Sequence, residues 1–168
     1  MKREEEAKRY QTFEDLDVYQ VAREFRKAIY RVARELPDLE KFGLASQMRR
    51  AAVSLTNNIA EGHGRFHFLE QIKFVLQARG SLEELLDDVN VCGDEKYLAR
   101  AEIESLRTEG WRVHKLINGY IRFLRAREEA GSTRVQEAPA DEDLDDLEGL
   151  EDENTARFNA SSLQPFNE

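Results

Sequence analysis

Residues 99–124 read ARAEIESLRTEGWRVHKLINGYIRFL, and Ala99, Ile103, Leu106, Gly110, Val113, Ile117, Tyr120 and Leu124 recur at steps of four and three throughout. That rhythm keeps one apolar stripe on one side of a helix for more than three heptads. A stripe this long needs partner helices to cover it. Three further segments provide them. Val18, Ala22, Phe25, Ile29, Val32 and Leu36 form the first, stopped by Pro37 and capped at its start by Asp15 or Asp17. A second, from about Leu39 to Gly64, carries Leu44, Met48, Ala51, Leu55, Ile59 and Gly62; the third carries Phe68, Ile72, Val75, Ala78, Leu82, Leu85, Val89 and Cys92 and closes on Gly93 as its C-cap. Short connections near residues 36–39, 63–67 and 92–96 favour antiparallel neighbours, and no period-2 segment competes. The expected fold is all-α: an up-down-up-down four-helix bundle.

Charge divides the chain. Residues 1–130 hold 23 basic and 23 acidic side chains, whereas residues 131–168 hold 2 and 11, so the net −9 belongs to the C-terminal part. With Pro139, Pro165 and little apolar surface, residues 131–168 are expected to form a disordered acidic tail behind a bundle at 13–130 and a charged segment at 1–12. Leu144, Leu147, Leu150, Phe158 and the run Leu163-Gln164-Pro165-Phe166 give that tail the makings of a motif for a basic or apolar groove on a protein partner. Cys92 stands alone, which excludes an intramolecular disulfide and suits a small buried side chain in a reducing compartment. The start, MKREEEAKRY, lacks an apolar core of the secretory kind, and no run approaches the roughly 18 apolar residues of a membrane span. A cytoplasmic location, away from membranes, is expected.

Apolar residues outnumber what one bundle's stripes require. Trp111, Leu116, Ile121 and Phe123 lie outside the stripe of the fourth helix, and Phe13, Tyr19 and Tyr30 add to the first. Such excess marks an interface, so a homo-oligomer is expected. Gly110, costing about 1 kcal/mol against Ala in mid-helix, implies a close helix crossing. Gly80 is expected to lie against the small Ala51-Ala52 patch.

Chemistry concentrates in residues 49–65, RRAAVSLTNNIAEGHGR. At about 100° per residue, Arg50, Ser54, Asn57, Glu61 and Arg65 fall on a polar line beside the Leu44–Leu55–Ile59 stripe. One reading is a solvated or inter-helix polar seam, with Ser54, Asn58, Glu61, Arg79 and Ser81 forming a structural network across helices two and three. The other is a binding surface for an RNA or DNA phosphate or a protein partner, using Arg49, Arg50, Asn57 and Arg65 with Arg26, Lys27 and Arg31 of the first helix. His63 and His67 are spaced i,i+4, but glycines flank them and a third ligand is missing, so no metal is expected. Glu83-Glu84 and Asp87-Asp88 read as the wet face of a helix. With no nucleophile elbow, Walker loop, dinucleotide fingerprint or Cys-x-x-Cys pair, neither catalysis nor a cofactor is expected.

Phe42-Gly43-Leu44, Gln47-Met48-Arg49-Arg50-Ala51-Ala52-Val53-Ser54, Asn58-Ile59-Ala60-Glu61-Gly62 with Arg65, and Ala78-Arg79-Gly80-Ser81-Leu82-Glu83-Glu84 together resemble the bacterial four-helix-bundle family encoded within intervening sequences of 23S rRNA genes. The resemblance spans about residues 13–125, and that family looks related to the accessory variability determinants of diversity-generating retroelements. It implies a non-enzymatic bundle assembling as a pentameric barrel and, on the retroelement side, binding of nucleic acid and a reverse transcriptase. Those retroelement proteins are strongly basic, whereas this core is neutral and its tail acidic. The function expected is a self-assembling, non-catalytic scaffold or adaptor; the alternative is a nucleic-acid-binding accessory protein that partners a reverse transcriptase.

Overall fold

A computed structural model describes residues 12–137, and its described residues form four α-helices with no strand. These are α1 (Asp17–Glu35), α2 (Leu44–His63), α3 (Phe68–Asp94) and α4 (Arg100–Glu137). The charged segment before residue 12 and the acidic stretch 138–168, with its leucine and phenylalanine motifs, lie outside the described residues.

Each helix boundary has a local cause, and several differ from the sequence reading. Asp15 does not cap α1: its carboxylate accepts from Thr12 N at 2.9 Å, closing a 3-10 turn over Phe13–Asp15. Asp17 is instead the first residue of α1, a negative charge at the positive end of the helix dipole. At the other end Leu36 is extended, as the residue before a proline must be, and Pro37 opens a second 3-10 turn over Asp38–Glu40. Helix α2 therefore starts at Leu44 rather than near Leu39. Its start is held by Glu40, whose Oε2 accepts from Leu44 N at 3.1 Å while its Oε1 accepts from the Tyr97 hydroxyl at 3.0 Å. One carboxylate thus ties the α1–α2 connection to the α3–α4 connection.

Gly93 does not cap α3 either. The left-handed residue is Lys96 at φ 59°, with Tyr97 N bonded to Cys92 O at 2.8 Å and Lys96 N to Gly93 O at 3.1 Å, the double bond pattern of a Schellman cap. Helix α4 runs ten residues past Arg127, where the apolar rhythm ends. The sequence there, Glu128-Glu129-Ala130, favours helix, and extending an existing helix needs no new nucleus.

Cross-helix contacts fix the topology. Going back along α2, Gly62 faces Phe74, Ser54 meets Ser81 and Gln47 meets Asp88, one step forward in α3 for each step back. Between α3 and α4, Gly93 faces Ile103, Asn90 meets Arg107, Glu83 meets His114 and Arg79 meets Asn118. Both pairs are antiparallel. Each helix packs on the next and α1 closes on α4, giving the expected up-down-up-down bundle with α2–α3 as its most extensive seam. Phe25, Ile29, Met48, Leu55, Ile59, Leu82, Leu85, Ile117 and Leu124 are sealed at its centre. Leu116 and Ile121, expected to be surplus, are buried as well, at 8% and 5% exposure.

Two glycines serve close approach and one does not. A methyl at Gly110 would stand 2.6 Å from Leu86 Cδ2 and 3.4 Å from Phe25 Cζ, so α1 and α3 both press on α4 there, as expected. At Gly62 the obstruction is stiffer, with Phe74 Cβ at 3.1 Å and the Gln71 carbonyl oxygen at 3.2 Å. Gly80 was expected against Ala51-Ala52, yet it faces open space, because it lies one residue off the seam residues Arg79 and Ser81. Gly80→Ala is accordingly expected to raise unfolding free energy by about 0.5–1 kcal/mol. Gly62→Ala should lower it by about 1–3 kcal/mol, because backbone and a Cβ cannot move aside. Urea titration followed by circular dichroism measures both; equal effects of one sign would contradict the packing described.

Candidate functional site

The outward face of α2 forms a groove. Ser46, Arg50, Val53, Ser54, Asn57 and Asn58 recur at helical spacing along it, Arg49 borders it, and Tyr30 of α1 lines it, a shallow groove of about 580 Å³ open to solvent. Arg49 donates to the Lys41 carbonyl at 3.2 Å and Arg50 to the Ser46 hydroxyl at 2.8 Å. Both guanidiniums therefore bond neutral oxygens, and no carboxylate lines the groove. On its α3 side, Asn58 donates to Ser54 O at 2.9 Å and Ser54 Oγ at 3.1 Å, and the Ser54 and Ser81 hydroxyls meet at 2.8 Å.

The structure thus splits the residues that the sequence grouped. Arg49, Arg50 and Asn57 converge in the groove. Arg26 turns inward and donates to the Thr56 hydroxyl at 2.8 Å, while Lys27 pairs with Glu24 on its own helix at 2.6 Å. Arg31 is exposed on α1 next to Tyr30. Arg65 pairs with Glu61 and lies 4.6 Å from the Phe74 ring centroid, at the end of α2. Of the proposed network, Ser54, Asn58 and Ser81 are connected; Glu61 bonds Arg65, and Arg79 reaches α4 to donate to Asn118 at 3.2 Å. Arg79 was expected to reach helix two. It points to the other neighbour of α3 because Arg79 and Ser81 lie about 200° apart around the helix.

A family model described as 23S rRNA-intervening sequence protein matches residues 14–119. The chain belongs to this family. No curated protein matches the sequence. The matched region contains all of α1, α2 and α3, the groove, and α4 through Gly119, so the family pattern and the bundle coincide. It leaves the last part of α4 and the acidic stretch outside.

Within this family fold, one polar feature escaped the sequence reading. Asp87 is exposed, but Asp88 is buried, at 3% exposure. Its Oδ1 accepts from Gln47 Nε2 at 2.9 Å and its Oδ2 has no partner. Burial, with Glu84 and Asp87 adding repulsion, pushes its carboxyl up to about 6. The available signal was spacing: Asp88 follows Leu85 by three and precedes Cys92 by four, which places it on the apolar side. One turn on, burial first and then the charges of Asp88 and Glu40 push the Cys92 thiol up to about 11, so it behaves as the small apolar side chain expected. Hydrogen bonding to Glu40 likewise raises the Tyr97 hydroxyl. Among the described residues no cluster of three or more His, Cys, Asp or Glu has metal-binding geometry, and His63 closes α2 while His67 precedes α3. No described helix is long and apolar enough to cross a membrane.

A carboxyl whose pKa is higher folded than unfolded binds its proton more tightly in the native state. Its contribution is most favourable below the unfolded value near 4 and is lost as pH rises through about 6. Asp88→Asn is therefore expected to stabilise the protein at pH 7.5 by roughly 1–3 kcal/mol. The gain should shrink as pH falls from 6 to 4. Thermal unfolding of both proteins across that range checks the sign, and a gain that does not change with pH would contradict the buried charge.

Proposed function

We propose that the protein is a non-catalytic, self-associating scaffold of the 23S rRNA-intervening sequence family. The observation that carries this is the exposure of large apolar side chains on a closed bundle: Leu39 at 75%, Phe42 at 87%, Phe66 at 88%, Leu69 at 56% and Trp111 at 52%. Leu39 and Phe42 sit at the end formed by the α1–α2 and α3–α4 connections, Phe66 and Leu69 at the opposite end, and Trp111 on α4 between them. Scattered apolar residues on a monomer need no explanation, but an exposed phenylalanine and leucine paired at each end give every copy two distinct contact surfaces. The family resemblance, which implies a pentameric barrel, supports the same reading. A non-catalytic role fits the closed position of Asp88, Cys92 and Tyr120, interior groups whose loss of a proton burial disfavours.

Light scattering on the purified full chain is expected to give a mass several times 19.5 kDa at micromolar concentration. Phe42→Ser, Phe66→Ser and Trp111→Ser should each weaken assembly by about tenfold or more, since each removes about 1.5–3 kcal/mol of burial, while helicity is unchanged. A monomer at that concentration would overturn the scaffold reading.

A second reading is nucleic-acid binding, in the manner that the resemblance to retroelement accessory proteins implies. The guanidiniums of Arg49 and Arg50, with no carboxylate lining their groove, favour it. RNA binding by the full chain would then fall steeply with salt, and Arg49→Ala with Arg50→Ala would flatten that slope by about two phosphate contacts. Salt-independent retention, or none, would exclude it.

A further inference from the structure

Charge that balances over residues 1–130 is unevenly placed along the bundle. Hydrogen bonds from Arg79 to Asn118 and from Arg107 to Asn90, with Glu83 beside His114, set the α3–α4 register and lay residues 71–82 alongside residues 115–126. These two stretches carry Lys73, Arg79, Lys115, Arg122 and Arg125 and no acid. Arg79 is held by Asn118; the other four are exposed, and their side chains make no ion pair or hydrogen bond among the described residues. Leu69, 56% exposed, and the half-buried Leu76 flank Lys73 at helical spacing along α3. We propose that residues 144–151 of the same chain fold back antiparallel to α4 and dock on this α3–α4 face, setting acids on the free cations and leucines on Leu69 and Leu76.

The path runs back along α4 and its neighbour and crosses no other helix. By the register, Leu69, Lys73 and Leu76 are level with residues 128, 124 and 121 of α4, which places them about 14, 20 and 24 Å back from Glu137. Arg125, Arg122 and Lys115 lie about 18, 23 and 33 Å back. Pro139 has no amide hydrogen to continue a helix interior, which favours a reversal over residues 138–140. From there an extended chain rising about 3.1 Å per residue brings Leu144 and Leu147 back by about 12 and 22 Å, the levels of Leu69 and Leu76. The same rise brings Asp145, Glu148 and Glu151 back by about 16, 25 and 34 Å, the levels of Arg125, Arg122 and Lys115.

The pattern of the segment matches the face as well as its reach does. Residues 144–152 read LDDLEGLED, a leucine followed by an acid in each of three triplets. An extended chain of the polyproline type turns once in three residues, so its leucines share one side while Asp145, Glu148 and Glu151 share the next. The face presents the complementary pair of lines, leucines on α3 and cations on α4. An exposed ion pair is weak singly, but a segment joined to the bundle acts at an effective concentration on the order of millimolar. An RNA backbone matches the cations and has neither the leucine line nor the tether. Docking leaves Leu39, Phe42, Phe66 and Trp111 uncovered, so it goes beyond assembly and does not rest on it.

Carbodiimide coupling of the full-length protein, followed by mass spectrometry, tests this docking. An equimolar mixture of light and heavy-isotope copies separates links within one chain from links between chains. Asp145 or Asp146 is expected to couple to Lys73, and Glu151 or Asp152 to Lys115, in peptides of a single isotope. Lys27, Lys41 and Lys96, away from the face, should couple roughly fivefold less. The yield at Lys73 and Lys115 should fall roughly fivefold in about 0.5 M salt and in the Arg122→Gln, Arg125→Gln double variant, which alters neither coupling residue. Arg125→Gln alone, at an exposed position that leaves folding intact, is expected to lower it by an intermediate amount. Coupling spread evenly over all five lysines, links of mixed isotope, the reverse order along α4, or a yield unchanged in the double variant would each overturn docking in cis. RNA bound by the same arginines in the absence of these links would overturn it as well.

Discussion

The α2–α3 seam constrains everything built on this bundle. Its approach is close at Gly62, where the obstructing atoms are a Cβ and a backbone carbonyl, and neither can yield. A helix pair locked there has one register, and that register brings Ser54 to Ser81 and Gln47 to Asp88. Helix α2 is thereby divided into sectors. Met48, Leu55 and Ile59 face the core, Gln47, Ser54 and Asn58 face α3, Arg26 of α1 takes Thr56, and what is left over is the outward strip that holds Arg50 and Asn57. The groove is a consequence of the other three commitments.

The buried carboxylate sits on the same seam and works against stability while supporting uniqueness. Asp88 has one hydrogen bond, from Gln47, and an ionised side chain with an orphaned oxygen in the core is unfavourable at neutral pH. Sliding α3 by one turn would move Asp88 about 5 Å from Gln47 and leave both oxygens unpaired, a larger penalty than the native one. The pair thus disfavours slipped packings that an entirely apolar stripe, with leucines four residues apart, would tolerate. Gly62 and Asp88 lie at opposite ends of the seam and fix the register from both.

Periodicity made the bundle legible, and its limits explain what was missed. The four-three rhythm reports which side of a helix is apolar, so the stripes and their order followed from residues such as Ile103, Leu106, Val113 and Ile117, and the short connections gave the antiparallel pairing. It carries no information on atoms that meet between helices. Gly80 looked like a contact glycine because its neighbours are small, yet it projects away; Arg79 looked like a partner for α2 and serves α4. Helix starts were misplaced where a distant side chain sets them, as Glu40 sets α2 and Tyr97 fixes Glu40 from another loop. Asp88 was misread because charge outweighed position. Of the candidate site, Arg49, Arg50 and Asn57 were legible from one helix alone, whereas Tyr30 joins them only through the α1–α2 crossing.

Local and global electrostatics point in different directions here. Beyond a Debye length of about 8 Å at physiological salt, the bundle presents no field of either sign, because its basic and acidic side chains balance. Close to the groove, Arg49 and Arg50 present two positive charges hydrogen-bonded to a carbonyl and a hydroxyl. A surface of this kind has little power to gather a charged ligand from solution. The net charge of the chain lies wholly in residues 131–168, beyond the region the family pattern matches. Family membership therefore accounts for the bundle, and the charge that sets this chain apart lies outside the matched region.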